Sequence, residues 1–92
     1  MPDQTPDWTV ELSRRAMRDL RNLDAPIRVR VLDAIKGLES DPPAGDIKRL
    51  VGITPPEWRL RVGDWRVRFE RDEDSHSIQV LRVLPRGRAY RD

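Results

Sequence analysis

The chain has 92 residues, which suffices for one domain but not for two hydrophobic cores. It carries 18 Lys and Arg against 16 Asp and Glu, no Cys and a net charge of +2. Disulfides and thiol catalysis are therefore excluded, and no apolar run approaches the ~20 residues that span a bilayer. Because the N-terminus is polar and acidic, unlike a signal peptide, we expect a cytoplasmic protein. The excess of basic residues lies in the C-terminal third, where an anionic partner is expected to bind.

The first elements are predicted to be a strand and a helix. We expect residues 1–7 to be a flexible N-terminus and the segment WTVEL, residues 8–12, to be a strand because apolar and polar residues alternate. Ser13 is a suitable N-cap for a following helix, since its hydroxyl can accept from an amide of the first turn. The apolar stripe of that helix consists of Leu12, Ala16, Leu20 and Leu23.

A second helix is predicted directly after Asp24-Ala25-Pro26, where a proline is tolerated in the first turn. Its apolar stripe is Ile27, Val31, Ile35 and Leu38. So short a connection predicts an antiparallel helical hairpin. Residues 41–57 contain four prolines and two glycines and are interpreted as an irregular segment anchored by Ile47, Leu50 and Val51.

Three strands complete the predicted fold. Residues 58–62 and 65–70 form a hairpin around Gly63-Asp64, and Ile78–Leu84 is apolar on both faces, which favours a central strand. The order of elements predicts an α+β domain spanning residues 8–92. In it, an N-terminal strand and a helical hairpin pack on one face of a small, mainly antiparallel sheet.

Arginines alternate with apolar residues along the predicted hairpin, WRLRVGDWRVRF. By strand geometry Arg59 and Arg61 point away from the core, as do Arg66 and Arg68, and pairing across the turn places the two pairs side by side. Like charges directly opposite one another are destabilising, so stability alone does not favour this cluster. A bound phosphate would relieve the repulsion, whereas a plain solvated polar face is the alternative interpretation.

The C-terminal segment PRGRAYR adds arginines and the only tyrosine of the chain, Tyr90. Arginine binds phosphate through two parallel hydrogen bonds, and a tyrosine ring can stack on an unpaired base. A disordered basic end is an equally good interpretation of the segment by itself. The single histidine, His76, lies in an acidic turn and is interpreted as a surface residue. No spacing typical of a metal site, a P-loop or a dinucleotide-binding motif occurs.

Four segments together resemble the RelE/ParE superfamily of type II toxin–antitoxin toxins, and within it the RelE-like messenger-RNA endoribonucleases. They are LESDP at the end of the helical hairpin, IKRLVG, the hairpin WRLRVGDWRVRF and VLRVLPRGRAY. The resemblance implies the RelE-like fold and a toxin that cuts messenger RNA in the ribosomal A site. It also implies attack by a ribose 2′-OH on the adjacent phosphate, without a metal or another cofactor.

The resemblance also implies the roles of individual residues. Arg66 matches the arginine that clamps the scissile phosphate, Arg86 the arginine near the leaving oxygen, and Tyr90 the tyrosine that orients nucleotide and nucleophile. Arg59 and Arg61 stand where well-known members carry lysines, so both are expected to stabilise charge on the phosphorane rather than to accept a proton. The predicted catalytic residues are Arg61, Arg66, Arg86 and Tyr90, and the predicted RNA-binding residues are Arg59, Arg68, Arg82 and Arg88.

Two other functions remain open at this point. ParE-like members share the fold and poison DNA gyrase by protein binding, without nuclease activity. A simple RNA- or protein-binding module is the third interpretation. Both toxin interpretations imply a cognate antitoxin whose acidic or amphipathic segments wrap the domain and cover its basic face. Neither implies a membrane or a metal as partner.

Overall fold

The computed structural model describes residues 7–87. The expectations for residues 1–6 and for Arg88 and Tyr90 lie outside the described residues. Two helices, a short 3-10 turn and five strands follow one another along the chain. In chain order they are β1 Thr9–Leu12, α1 Arg14–Arg21, α2 Ala25–Lys36, the 3-10 turn Gly37–Glu39, β2 Asp46–Arg49, β3 Trp58–Val62, β4 Trp65–Asp72 and β5 Ser77–Pro85.

The strands form one sheet in the order β1-β5-β4-β3-β2, in which only the β1–β5 pair is parallel. The predicted α+β architecture with a mainly antiparallel sheet is therefore confirmed. The apolar strand β5 pairs along both edges, as predicted, although β4 holds the middle position. No helix within residues 7–87 is both long and apolar enough to cross a bilayer.

The sequence interpretation missed strand β2, which lies inside the segment predicted to be irregular. β2 is an edge strand that pairs only with β3, and Ile47 is its one half-buried residue. A strand with so little buried surface has no apolar alternation to reveal it. The prediction that Val51 anchors this segment was also wrong, because Val51 is 93% exposed. The other two predicted anchors, Ile47 and Leu50, are half-buried.

One core lies between the helices and one face of the sheet. The helical stripes contribute Ala16, Leu20, Val31 and Ile35, as their spacing predicts. The facing side of the sheet is lined by Leu60, Val67, Phe69, Ile78, Val80 and Val83. The arginines that alternate with these residues along β3 and β4 therefore point to the other face, because successive side chains of a strand face opposite ways.

Helix α1 begins where β1 ends and covers the remaining edge of β5. Ser13 caps the helix by accepting from the amide of Ala16 at 3.0 Å, as predicted, and its hydroxyl also donates to the carbonyl of Leu81 at 2.8 Å. Further along the same edge, the carboxylate of Asp19 accepts from the amide of Val83 at 2.8 Å. The carbonyl of Leu81 and the amide of Val83 have no neighbouring strand within residues 7–87 on this edge of β5, and side chains at the start of α1 and within it supply their hydrogen-bond partners instead.

The helical hairpin is held closed by Arg28 of α2. Its guanidinium donates to the carbonyls of Leu20 at 2.8 Å, Leu23 at 2.6 Å and Arg21 at 3.3 Å. These carbonyls lie at the C-terminal end of α1, where a helix leaves its last acceptors without partners. The positive charge is also favourable at that end of the helix dipole.

Candidate nucleic-acid interface

Five arginines of the sheet lie in two rows on the face away from the helices. One row crosses three strands, with Arg59 opposite Arg68 and Arg68 opposite Arg82. The other row pairs Arg61 with Arg66 beside the Gly63-Asp64 turn. The prediction that the two arginine pairs lie side by side is confirmed. We call these five residues the arginine face.

The row of three arginines is neutralised by carboxylates from three other parts of the chain. Arg59 is paired with Asp46 of β2 at 3.3 Å, Arg68 with Glu57 at 2.7 Å, and Arg82 with Asp19 of α1 at 2.9 Å. The side chains of Arg59 and Arg68 are only 13% and 19% exposed. A plain solvated polar face does not describe such an arrangement. Much of the repulsion within this row is balanced inside the molecule.

The sequence interpretation missed Glu57 and Asp19, which bind two arginines of the arginine face. Glu57 precedes β3, is only 8% exposed and holds both Nε and Nη2 of Arg68 through one oxygen, at 2.8 and 2.7 Å. A local signal existed, since Glu57 has the same strand parity as Arg59 and Arg61. Asp19 gave no such signal, because it lies 63 positions from its partner.

Asp19 joins α1 to the arginine face through a bidentate contact. Its two oxygens accept from Nε of Arg82 at 2.9 Å and from Nη2 at 3.3 Å. The hydrogen bond to this carboxylate raises the pKa of Arg82 above its ordinary value, so Arg82 stays cationic. Since the same carboxylate also accepts the amide of Val83, it fixes β5 and one arginine together.

The second row has no such balance. Neither Arg61 nor Arg66 forms an ion pair among residues 7–87. Arg66 is only 7% exposed, and its Nη1 donates to the carbonyls of Gly63 at 2.8 Å and Trp65 at 3.0 Å. These contacts orient the guanidinium against the turn without cancelling its charge. Arg61 opposite it is exposed.

The turn between β3 and β4 brings Arg86 to the same end of the sheet. The amide of Arg86 donates to the carbonyl of Asp64 at 2.7 Å, which places the residue after β5 against the turn. Gly63 has a φ of +57°, a conformation that side chains disfavour. A Cβ there would also lie 3.2 Å from the guanidinium of Arg30 in α2. Three predicted catalytic residues, Arg61, Arg66 and Arg86, thus meet at one turn.

His76 lies at the opposite end of the sheet, in the turn before β5. It is exposed and stacks on the ring of Trp8, with centroids 4.7 Å apart. The guanidinium of Arg71 also lies at this end, 4.3 Å from the Trp8 centroid and 5.9 Å from that of Trp58. The structure therefore keeps the histidine on the surface and away from the unbalanced arginines, as its sequence context indicates.

A family model matches most of the chain. Residues 10–90 fit the model described as the ParE toxin of the type II toxin–antitoxin system parDE. The chain belongs to the RelE/ParE superfamily of toxins. No curated protein matches it. The superfamily resemblance inferred from the four sequence segments is thereby confirmed, while the model carries the ParE description and the segments favour the RelE-like branch.

Solved structures of RelE toxins share the fold of this toxin. The RelE–RelB complex of Pyrococcus horikoshii OT3 is 28% identical, with a TM-score of 0.76 over 90% of this chain and 99% of that one. The RelBE2 toxin–antitoxin complex of Mycobacterium tuberculosis is also 28% identical, with a TM-score of 0.75 over 88% and 99% of the two chains. Isolated E. coli RelE is 21% identical, with a TM-score of 0.63 over 90% and 88%, and it shares the fold.

Proposed function

We propose that this toxin is a ribosome-dependent messenger-RNA endoribonuclease that acts in the cytoplasm and stops translation. The observation that carries the proposal is the group of Arg61, Arg66 and Arg86 at one turn, none of which forms an ion pair within residues 7–87. A surface that only needs to be soluble gains nothing from two adjacent unbalanced arginines. A phosphodiester with its developing negative charge supplies the missing partner.

In the proposed reaction the attacking and the leaving oxygen both belong to the RNA, and the arginines of the toxin stabilise the charge that develops. The ribose 2′-oxygen attacks the adjacent phosphorus, the P–O5′ bond breaks, and the products are a 2′,3′-cyclic phosphate and a 5′-hydroxyl end. The proton of the 2′-hydroxyl passes to Tyr90, to water or to a ribosomal group, and the departing 5′-oxygen takes a proton from water. Arg66 clamps the scissile phosphate, since its guanidinium is already oriented by the turn carbonyls. Arg86 stabilises charge at the leaving oxygen.

Arg61 is proposed to stabilise the pentavalent phosphorane rather than to accept a proton. An arginine keeps its charge throughout the useful pH range, whereas a lysine can act as a base. One donor aimed at a developing oxyanion contributes on the order of 3 kcal/mol to transition-state stabilisation. Removal of the proton falls to Tyr90, to water or to a ribosomal group. Cleavage is therefore expected to be slower than in lysine-bearing relatives.

The partners of this function are messenger RNA in the ribosomal A site and a cognate antitoxin. The RelE structures from Pyrococcus horikoshii and Mycobacterium tuberculosis are toxin–antitoxin complexes, which supports an antitoxin for this chain. An acidic or amphipathic antitoxin segment fits the charge of the arginine face. The remaining predicted RNA contacts, Arg59, Arg68 and Arg82, are proposed to add contacts only by exchanging their carboxylate partners for phosphate.

Inhibition of DNA gyrase by protein binding is the second candidate, and the ParE description of the family model favours it. In that case the unbalanced arginines contact an acidic surface of a protein. Fold similarity does not choose between the two functions, because both branches share the fold. Only an assay of messenger cleavage distinguishes the two candidate functions.

Primer extension on an actively translated messenger, with and without induced toxin, tests the proposal. New 5′ ends inside codons are expected, and they should vanish when translation is blocked. Arg66→Ala and Arg86→Ala should abolish them, while the matched control Arg21→Ala, an exposed arginine of α1, should cleave normally. Intact messenger in cells that stop growing refutes the nuclease and directs attention to gyrase supercoiling activity.

A further inference from the structure

A groove runs between the start of α1 and the end of β5, next to the arginine face. Its volume is about 500 Å³. Two leucines form its floor and four arginines its rim, and the complete lining is Ser13, Arg14, Arg15, Arg68, Leu81, Arg82 and Leu84. The floor continues to the turn where the unbalanced arginines meet, because Leu84 lies directly opposite Arg66 in the register of β4 and β5.

Only two of the four rim arginines contribute net positive charge. Arg68 and Arg82 are paired with Glu57 and Asp19. Arg14 and Arg15 are exposed and form no ion pair within residues 7–87. The groove therefore presents two uncompensated guanidinium groups above an apolar floor.

The stability of α1 does not explain these two arginines. They occupy the first turn, where the helix dipole disfavours positive charge, and that turn contains no acidic residue. Arg18 follows Arg14 by four positions, a spacing at which like charges repel along a helix. The one acidic residue of α1, Asp19, is engaged by Arg82 and the amide of Val83. Helix stability would favour acidic or neutral residues at these positions.

We propose that this groove binds the phosphodiester backbone of single-stranded RNA through Arg14 and Arg15, outside the reacting centre. The proposal rests on the proposed function, since it extends the path of the same RNA strand from the Arg66 turn towards α1. Guanidinium groups match phosphate, and apolar side chains such as Leu81 and Leu84 offer a surface for unstacked bases. The two charges serve to hold the strand in register while the turn acts on one phosphate.

The test is the salt dependence of binding to a fluorescein-labelled single-stranded RNA that carries 2′-O-methyl riboses and cannot be cleaved. For single strands, log K falls with log salt with a slope of about −0.7 per neutralised phosphate. The double variant Arg14→Ala, Arg15→Ala is expected to lose two contacts, so its slope should be shallower by about 1.4. The Arg14→Lys, Arg15→Lys variant keeps the charge and should keep the slope.

Arg21→Ala is the matched control, because it removes one exposed charge from the same helix but does not line the groove. Its slope should equal that of the wild type. An unchanged salt slope in the double alanine variant overturns the proposal. An equal change of slope in Arg21→Ala also overturns it, because RNA would then respond to the overall positive charge of the protein and not to the groove. If the double variant instead loses affinity only for the co-expressed antitoxin, the groove is a protein-binding surface and the proposal is wrong.

This measurement and the cleavage test fail independently. The RNA probe cannot react, so its binding reports on the groove whether or not the toxin is a nuclease. If the wild type cleaves messenger but the double alanine variant has an unchanged salt slope, the RNA-binding role of the groove is wrong and the proposed function is unaffected. If the double alanine variant has a shallower slope but the wild type does not cleave messenger, the nuclease proposal is wrong and the groove still binds RNA.

Discussion

Replacing Glu57 by glutamine tests whether carboxylates neutralise the positive charge of the arginine face. One oxygen of Glu57 accepts from both Nε and Nη2 of Arg68, at 2.8 and 2.7 Å, and its side chain is only 11% exposed. Hydrogen bonds to charged groups contribute about 1.5–3 kcal/mol and neutral ones about 0.5–1.5. Because glutamine keeps the shape and an acceptor, Glu57→Gln should lower the free energy of unfolding by about 1–2 kcal/mol.

The same substitution should strengthen RNA binding while it weakens the fold. A loss of about 1–2 kcal/mol corresponds to a melting temperature lower by roughly 4–16 °C for a domain of this size. The released charge of Arg68 becomes available to phosphate, so the salt slope on single-stranded RNA should steepen by about 0.7. Calorimetry and the RNA titration described above measure the two effects on the same preparation.

Glu73→Gln is the control for Glu57→Gln. Glu73 contacts Arg71 at 3.9 Å and its side chain is 74% exposed, so its replacement should change the free energy of unfolding by less than about 0.5 kcal/mol. The reasoning is refuted if Glu57→Gln melts with the wild type, or if it is destabilised while its RNA slope stays unchanged. The second result would mean that Arg68 remains unavailable even without its carboxylate.

Three further changes test the framework that positions the site, and a fourth tests the histidine-free mechanism. Asp19→Ala leaves three donors without their acceptor and should cost about 2–4 kcal/mol in thermal unfolding, whereas the exposed Asp33→Ala should cost almost nothing. Arg28→Ala removes the cap of the first helix and should cost about 1–3 kcal/mol, and a wild-type melting curve would contradict the cap. Leu38→Ala empties a fully buried position and should cost about 2–5 kcal/mol in denaturant titration. His76→Ala should leave messenger cleavage unchanged, and an inactive variant would overturn the histidine-free mechanism.

Local rules were enough to predict the parts of the fold whose causes lie close together in the chain. The cap at Ser13, the break before Pro26 and the turn at Gly63 each depend on a few neighbouring residues. Strand parity alone predicts that Arg59, Arg61, Arg66 and Arg68 share one face, since a shift by one residue would have placed the apolar residues outside the core. Strand β2 could not be predicted, because its place at the sheet edge depends on pairing with β3 and not on its own composition.

The electrostatic balance of the site depends on contacts between residues that are distant in the chain. Asp19 and Arg82 come from opposite ends of the chain and meet only because α1 covers the edge of β5. Alternation predicted which arginines share a face, but the topology decides which of them are paired. The structure thereby separates the paired Arg59, Arg68 and Arg82 from Arg61 and Arg66. Their roles towards RNA remain predictions that the variants above test.

The pH dependence of cleavage addresses the chemistry of the unbalanced arginines directly. Arginine side chains keep their charge over the accessible range, so Arg61, Arg66 and Arg86 should add no limb of their own to the pH profile of wild-type cleavage between about pH 6 and about pH 9. Arg61→Lys introduces a side chain that can lose its proton beside the positive charge of Arg66, which lies directly opposite. Its single-turnover cleavage on programmed ribosomes should therefore acquire a limb that rises with pH.

Arg59→Lys is the matched control for Arg61→Lys, because Arg59 lies on the same strand and face but is paired with Asp46. A lysine held by that carboxylate should keep its proton, and the pH profile should match that of the wild type. An Arg61→Lys profile with the same limbs as the wild-type profile would show that a lysine at this position does not act as a base. In that case Arg61 no longer needs to replace a base, and the expected slowness relative to lysine-bearing toxins loses its physical reason.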